Sequence, residues 1–168
     1  SPVIPYVGFP LGTRAQMFNF NPDHPNCLAP GKRPRTTLTP SLAFKDGKPW
    51  MVFGTPGGDM QDQWTLQFFL NIVEFGMGIQ EAVEAPTFHT THFTNSFYPH
   101  EKGDGTIYVE EGIDLAVLYK LQEKQHKLNL NRPNSHGEVC GVRFDFDNGL
   151  IEGAASLKDE GNAYAMGW

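Results

Sequence analysis

The stretch Phe53-Gly-Thr-Pro-Gly-Gly58, followed by an apolar run from Trp64 to Phe75, decides the fold of this region. Trp50–Gly54 is predicted as a strand, and apolar residues recur at helical spacing after Trp64. Two adjacent glycines therefore lie where a strand leads into a helix. Backbone N–H groups at the positive end of a helix are suited to stabilising an oxyanion, so the pattern indicates acyl-transfer chemistry.

The residues around this stretch extend the prediction in both directions. Ser41–Phe44 and Trp50–Gly54 are predicted strands, and the Asp-Gly pair in Lys45-Asp-Gly-Lys48 is typical of a hairpin turn. Asp59 is predicted as the N-cap of the helix, with Asp62 three residues later. Because apolar residues surround most of this helix, we expect it to be buried.

The remainder of the chain predicts a mixture of helices and strands. Its elements are a short helix Gln80–Ala85, an irregular aromatic loop from Phe88 to Gly105, a strand Thr106–Glu110, a helix Ile113–His126, and a hairpin of Val139–Phe146 and Leu150–Ser156 around Asp147-Asn-Gly149. Six prolines make the first thirty residues a loop, which we expect to lie over a surface formed elsewhere. The mixture indicates an α+β fold.

Composition is that of a single globular domain spanning residues 1–168. The chain is 39% hydrophobic and 19% charged, with a net charge of −6. No Lys/Arg cluster is present to bind phosphates, and no apolar run reaches membrane-spanning length, so we expect neither a nucleic-acid nor a membrane partner. Two separated cysteines leave their redox state open.

Two other groups of polar residues are interpreted as structural. His89, His92 and His100 have a spacing that could bind a metal, but they fall in the predicted irregular loop and are interpreted as loop histidines. Glu110 and Glu111 are adjacent in a predicted strand. Their side chains should point to opposite faces, so they are interpreted as solvated.

Several segments, in order and in approximate spacing, resemble the small subunit of the gamma-glutamyltranspeptidase family of autoprocessing N-terminal-nucleophile amidohydrolases. These segments are Gln16-Met17, Gly31 to Pro34, Thr36-Thr37, Pro40, Asp46-Gly-Lys-Pro49, Gly54-Thr-Pro-Gly-Gly58 and Gly76 to Pro86, with a weaker match at the tail Gly161–Trp168. The resemblance implies part of a four-layer αββα sandwich, with no cofactor and no metal.

The resemblance also implies roles for particular residues. The backbone N–H groups of Gly57 and Gly58 would form the oxyanion hole, and Thr36 and Thr37 would hold the carboxylate of the substrate. Gln16 and Asn19 would line the pocket for the acyl donor, a small gamma-glutamyl or acyl amide. Arg35, beside Thr36, either attracts the same carboxylate or braces the loop.

The nucleophile of the family is a threonine at the start of the small subunit, upstream of the position matched by Gln16. We therefore expect this chain to be the C-terminal part of such a subunit, without the nucleophile and inactive alone. Its expected partners are the missing N-terminal segment and the large subunit. Ser1 carries an amine that could act as its base, but we interpret it as a boundary.

Asn19 is the clearest departure from the family pattern. Where the family has an acidic residue that binds the alpha-ammonium of the donor, this chain has an uncharged amide. The leading interpretation is therefore cleavage of gamma-glutamyl amides such as glutathione, with a glutaryl- or cephalosporin-acylase-like activity as the alternative. A non-catalytic binding or assembly module is a third hypothesis. A cytoplasmic location is favoured over a periplasmic or extracellular one.

Overall fold

Two sheets and three α-helices organise the chain in a computed structural model that describes residues 3–133 and 135–157. The strands are β1 (Ser41–Lys45), β2 (Lys48–Gly54), β3 (Phe88–Thr90), β4 (Ile107–Glu110), β5 (Leu128–Asn131), β6 (Cys140–Asp145) and β7 (Leu150–Ala155), and the helices are α1 (Gln61–Val73), α2 (Ile79–Glu84) and α3 (Leu115–Glu123). Short 3₁₀ helices cover Thr13–Met17 and Gly58–Met60. Ser1 and the tail Gly161–Trp168 lie outside the described residues.

The larger sheet is antiparallel, in the order β1-β2-β6-β7. Both predicted hairpins are confirmed. Asp46 and Gly47 have φ values of 51° and 77°, as a tight turn between twisted strands requires, and Gly149 has a φ of 66° in the second turn. The two hairpins pair through β2 and β6, which brings distant parts of the chain into one sheet.

The core lies between one face of this sheet and helices α1 and α2. Met51 on β2 is fully buried and packs in the same cluster as Phe68 on α1 and Val83 on α2. A Cβ placed on Gly141 in β6 would be 3.0 Å from the Phe68 ring, so a glycine allows the helix to approach the sheet closely. This packing fixes α1 relative to the end of β2.

The prediction that α1 is buried on most sides was wrong. Leu66 is 56% exposed, and Val73 is also exposed. α1 packs against the larger sheet, α2 and β3, but no described residue covers the part of the helix that carries Leu66 and Val73. The opposite face of the sheet is likewise open, and Leu42 and Ile151 are exposed there.

The smaller sheet has the order β3-β4-β5, with β3 antiparallel and β5 parallel to β4. The parallel pair is joined through α3, as a βαβ connection requires. The prediction of an irregular loop from Phe88 was wrong at its start, because β3 covers Phe88–Thr90. The prediction also missed β5, whose four residues pair with β4 and with no other described strand.

The segment Gln16–Phe18 lies against another loop of the same chain, whereas residues 3–11 are largely exposed. Met17 is fully buried, and the Gln16 carbonyl accepts a hydrogen bond from the Tyr98 N–H at 3.1 Å. The His100 ring bonds to the Phe18 carbonyl at 3.0 Å. Helices and sheets in this arrangement confirm the α+β class. No helix in the described part of the chain is long and apolar enough to cross a membrane.

Candidate active site

The Gly57–Gly58 turn joins β2 to the 3₁₀ helix Gly58–Met60, which leads into α1. Gly57 has a φ of 134° and Gly58 a φ of 59°, and the first of these values is essentially restricted to glycine. The turn is closely packed on its inner side, where the Trp64 indole lies against Gly57. The sequence therefore needs glycine at this point for the chain to turn and for the backbone to lie on the indole.

A depression of about 570 Å³ lies over this turn. Its lining includes Arg14, Thr37, Thr39, Gly57, Gly58, Gln61 and Phe97. A smaller depression of about 160 Å³ shares Thr37 and Gly58 and adds Arg35, Thr36 and Asp59. These two adjoining depressions, together called the cleft, contain the predicted hydroxyl pair and the predicted oxyanion glycines, although these residues are about twenty positions apart in sequence.

The two threonines of the pair have different environments. Thr36 is exposed, and its Oγ1 accepts a hydrogen bond from the Leu38 N–H at 3.1 Å. Thr37 is only 6% exposed, and its Oγ1 has no hydrogen-bond partner among the described residues. An unpaired buried hydroxyl carries a desolvation cost, and Thr37 is the member of the pair whose hydroxyl keeps unused hydrogen-bonding capacity.

Gln16 and Asn19 do not line either depression. Gln16 is exposed, and Asn19 is half-buried. The Asn19 Oδ1 accepts a hydrogen bond from the Asn21 N–H at 2.8 Å, so this amide oxygen already shapes its own loop. Contact of either residue with a donor stays a prediction.

The prediction that Asp59 caps α1 was wrong. The residue before α1 is Met60, and no side chain caps the helix there. Instead, the Asp59 carboxylate accepts hydrogen bonds from the Ser96 N–H at 2.7 Å and from the Ser96 hydroxyl. A 3₁₀ turn precedes the helix, so Asp59 is displaced from the cap position and attaches a distant loop to the cleft.

Sequence reasoning missed two residues of the cleft, Arg14 and Gln61. The Arg14 guanidinium is 6.0 Å from the centre of the Phe97 ring, and among the described residues it has no ion pair. Gln61 is 6% exposed beneath the cleft. Neither residue stands in a sequence pattern that would have indicated it, since both reach the site only through tertiary packing.

A buried polar cluster supports the turn from behind. The prediction that Glu110 is solvated was wrong, because this side chain is 1% exposed. Its carboxylate accepts four hydrogen bonds, from the Thr87 N–H and hydroxyl and from the N–H groups of Ser135 and His136. The strand end is covered by the segment around His136, which is why Glu110 is not in water.

His89 belongs to the same cluster and lies in β3 rather than in a loop. Its ring stacks on Tyr108 and meets the Trp64 indole edge to face, with centroid distances of 4.9 and 5.3 Å. The pKa of His89 is lowered to about 4, first by burial and then by the charge of His136, while the charge of Glu110 opposes both. His89 is therefore neutral in the folded protein at neutral pH. No group of three His, Cys, Asp or Glu side chains within residues 3–133 and 135–157 could hold a metal ion.

Known proteins resemble this chain in sequence and in fold. The profile of the Gamma-glutamyltranspeptidase family matches residues 1–166. The chain belongs to the gamma-glutamyltranspeptidase family. A glutathione hydrolase proenzyme of Bacillus subtilis (strain 168) is 32% identical over 164 residues, which are 98% of this chain and 26% of that protein.

Two solved structures extend the family comparison. The structure of LmbA2991T421A is 45% identical, with a TM-score of 0.82, and the match covers 94% of this chain and 28% of that one. Cephalosporin acylase from Bacillus halodurans is 27% identical, with a TM-score of 0.75, over 92% of this chain and 27% of that one.

The family comparison also settles the fold. Solved gamma-glutamyltranspeptidases share it, so the chain has part of the N-terminal-nucleophile hydrolase fold, as predicted. The chain spans about a quarter of the length of the first two curated members that it matches, at 24% and 26%.

Proposed function

We propose that this chain forms part of an amidohydrolase or acyltransferase that cleaves gamma-glutamyl amides of the glutathione type through an acyl-enzyme. The observation that carries the proposal is one cleft that contains two positive-φ glycines at the start of a helical segment and a buried threonine hydroxyl without a partner in the described part of the chain. The match of residues 1–166 to the gamma-glutamyltranspeptidase family supports it.

Each cleft residue has a chemical role in this proposal. The N–H groups of Gly57 and Gly58 stabilise the oxyanion of the tetrahedral intermediate, where each donor contributes roughly two to three powers of ten in rate. The Thr37 hydroxyl donates to the carboxylate of the acyl donor, assisted by Thr36. Arg14, which lines the same cleft and has no carboxylate partner among the described residues, provides the positive charge that attracts this carboxylate.

The attacking group and the rest of the enzyme come from segments outside this chain. A threonine of an upstream segment attacks the amide carbonyl, and a water or an amine then accepts the acyl group. A large subunit and the upstream segment of the small subunit are the proposed partners. Exposed apolar residues on the open face of the larger sheet, including Leu42 and Ile151, are consistent with a covering layer.

A panel of donors tests this function in the mature enzyme that contains the chain. The donors are the p-nitroanilides of gamma-glutamate, glutarate and butyrate, of which the last has no carboxylate. We expect both acidic donors to be hydrolysed, with kcat/KM at least about tenfold above that of the butyryl compound, because a charge-assisted contact is worth 1.5–3 kcal/mol. Absence of hydrolysis, or equal values for all three, contradicts the proposal.

One observation favours the acylase-type alternative, in which the donor has no alpha-amino group. Asn19 brings no charge, and its Oδ1 is engaged by the Asn21 N–H. The Asn19→Asp variant distinguishes the two activities. If this residue contacts the donor, kcat/KM for the gamma-glutamyl compound should rise relative to the glutaryl compound. A ratio that stays within about twofold shows that Asn19 does not contact the donor.

A further inference from the structure

Gln61, the first residue of α1, links three segments that meet at the cleft. Its side-chain amide is buried, and its neighbours define its orientation. With donors facing acceptors, Nε2 lies 2.8 Å from the Thr37 carbonyl oxygen and 3.2 Å from that of Thr55, while Oε1 lies 3.2 Å from the Gly58 nitrogen. The Thr39 hydroxyl is a further neighbour of the amide, at 3.1 Å.

These contacts connect the groups on which the proposed function rests. The amide nitrogen contacts the carbonyl of Thr37, in the loop that carries the two threonine hydroxyls (the hydroxyl loop), and the carbonyl of Thr55, the residue after β2. The amide oxygen contacts the N–H of Gly58. A buried amide with partners on both sides has one favourable position, because moving any partner leaves a polar group unsatisfied at a cost of about 1–3 kcal/mol.

The precision of such a connection matters for an oxyanion hole. Backbone nitrogens stabilise the developing charge when their distance from the oxyanion is within about 0.2 Å of the usual hydrogen-bond length. A misplacement of about 1 Å lowers the rate roughly a hundredfold. The glycine turn has no side chains with which to fix its own position. Gln61 is the described residue whose side chain bonds to both the turn and the hydroxyl loop.

We infer that Gln61 is a positioning residue, which holds the Gly58 N–H and the Thr37 hydroxyl in the relative arrangement that the reaction requires. This inference rests on the proposed function. In the free enzyme, the Gln61 Oε1 satisfies the Gly58 N–H through a long, neutral hydrogen bond. An oxyanion is a stronger acceptor because it is charged, so the same N–H is shared between Oε1 and the oxyanion as charge develops, without leaving the position that Gln61 fixes.

A matched pair of variants tests the inference, Gln61→Met and Gln67→Met. Gln67 lies on the same helix, and its amide likewise bonds on both sides, to the Phe88 carbonyl oxygen at 2.8 Å and the Phe88 N–H at 3.0 Å. It does not line the cleft. Both variants remove an amide side chain of α1 that donates and accepts hydrogen bonds, but only Gln61→Met loses the connection to the Gly57–Gly58 turn.

In the mature enzyme, we expect Gln61→Met to lower kcat for an acidic anilide by about tenfold to a hundredfold, with a smaller change in KM. Gln67→Met should retain kcat within about twofold of the parent value, even if it lowers the unfolding midpoint by as much as Gln61→Met does. A Gln61→Met kcat within twofold of the parent, or an equal loss in Gln67→Met, overturns the inference.

The nearly isosteric Gln61→Glu variant provides a second test, which does not depend on a methionine fitting the site. The groups around the amide are the carbonyls of Thr37 and Thr55, the Thr39 hydroxyl and the Gly58 N–H, and the charged side chains that line the two depressions are Arg14, Arg35, Asp59 and Asp62. A protonated carboxyl can donate to one carbonyl and accept from Gly58, whereas a carboxylate faces two carbonyl oxygens.

We therefore expect the ratio of the kcat of Gln61→Glu to the kcat of the parent, measured at the same pH, to rise by about fivefold when the pH is lowered from 8 to 5.5. A ratio that does not change with pH overturns the inference, because a purely structural defect would not depend on the protonation of the introduced carboxyl group. If the parent hydrolyses none of the donors, the proposed function fails, and the inference fails with it. An active parent with unaffected Gln61 variants contradicts only the inference.

Discussion

The Trp64 indole lies directly against Gly57, so closely that a Cβ placed on Gly57 would be 2.1 Å from Trp64 Cζ3. The indole also packs under Gly137 and stacks on the His136 ring, at a centroid distance of 6.1 Å. Trp64 therefore separates the glycine turn from the buried polar cluster. The turn cannot move inward without displacing the indole, which makes Trp64 the support of the candidate oxyanion hole.

Gly57→Ala should destabilise the protein strongly. The added methyl group overlaps the indole, and a φ of 134° is unfavourable for alanine, so we expect the free energy of unfolding to fall by about 3 kcal/mol. Urea denaturation of the mature protein measures this. Gly58→Ala is the control: its Cβ would be 3.3 Å from the Phe97 ring and its φ is 59°, so a loss of about 1 kcal/mol is expected. Equal losses would contradict the packing described.

Thr37→Val should affect substrate binding without lowering stability. Valine has nearly the same shape and removes a buried hydroxyl that has no partner, so the free energy of unfolding should stay the same or rise slightly. If the hydroxyl binds the carboxylate of the donor, kcat/KM for a glutaryl anilide should fall by roughly tenfold or more. Steady-state kinetics measure this effect.

Thr36→Val is the comparison for the hydroxyl pair. Thr36 is exposed and its Oγ1 accepts from the Leu38 N–H, so its replacement should change kcat/KM less than that of Thr37. An unchanged kcat/KM in Thr37→Val would remove Thr37 from the donor site. A larger effect at Thr36 would assign the carboxylate to the exposed hydroxyl instead.

Glu110→Gln should be strongly destabilising although the change is nearly isosteric. The carboxylate accepts four hydrogen bonds, and an amide nitrogen in place of one oxygen would face N–H donors. We expect a loss of about 3 kcal/mol in the free energy of unfolding. Glu111→Gln is the neighbouring control, because Glu111 is exposed and its change should stay within about 0.5 kcal/mol.

His89 should make stability depend on pH in the mildly acidic range. Its pKa is lowered to about 4 in the folded protein, against an ordinary value of 6.5, so between these values the unfolded chain binds more protons at this position. The free energy of unfolding should therefore decrease as pH falls from 6.5 to 4, and the contribution of His89 to it should not change with pH above 6.5. In His89→Gln this part of the decrease should be absent. Urea denaturation at several pH values measures both slopes, and equal slopes would contradict the prediction.

Local patterns predicted much of the fold and one part of the site. The Asp46-Gly47 turn, the Asp147-Asn-Gly149 turn and the helix after Gly58 depend on residues close together in sequence, where backbone preferences and hydrophobic periodicity act directly. The position of Gly57 and Gly58 between a strand and a helix follows from the same patterns. The resemblance of short motifs to a known family supplied the particular N-terminal-nucleophile hydrolase fold and the class of substrate.

Only the tertiary structure decided which polar residues are buried and what they bind. Asp59 bonds to Ser96 instead of capping its helix, Glu110 is covered by the segment around His136, and Gln61 connects loops that sequence analysis treated separately. β3 and β5 are short, and β5 exists through its pairing with β4. In each case the deciding free energy comes from hydrogen bonds and desolvation between residues distant in sequence, and no local pattern encodes these contacts.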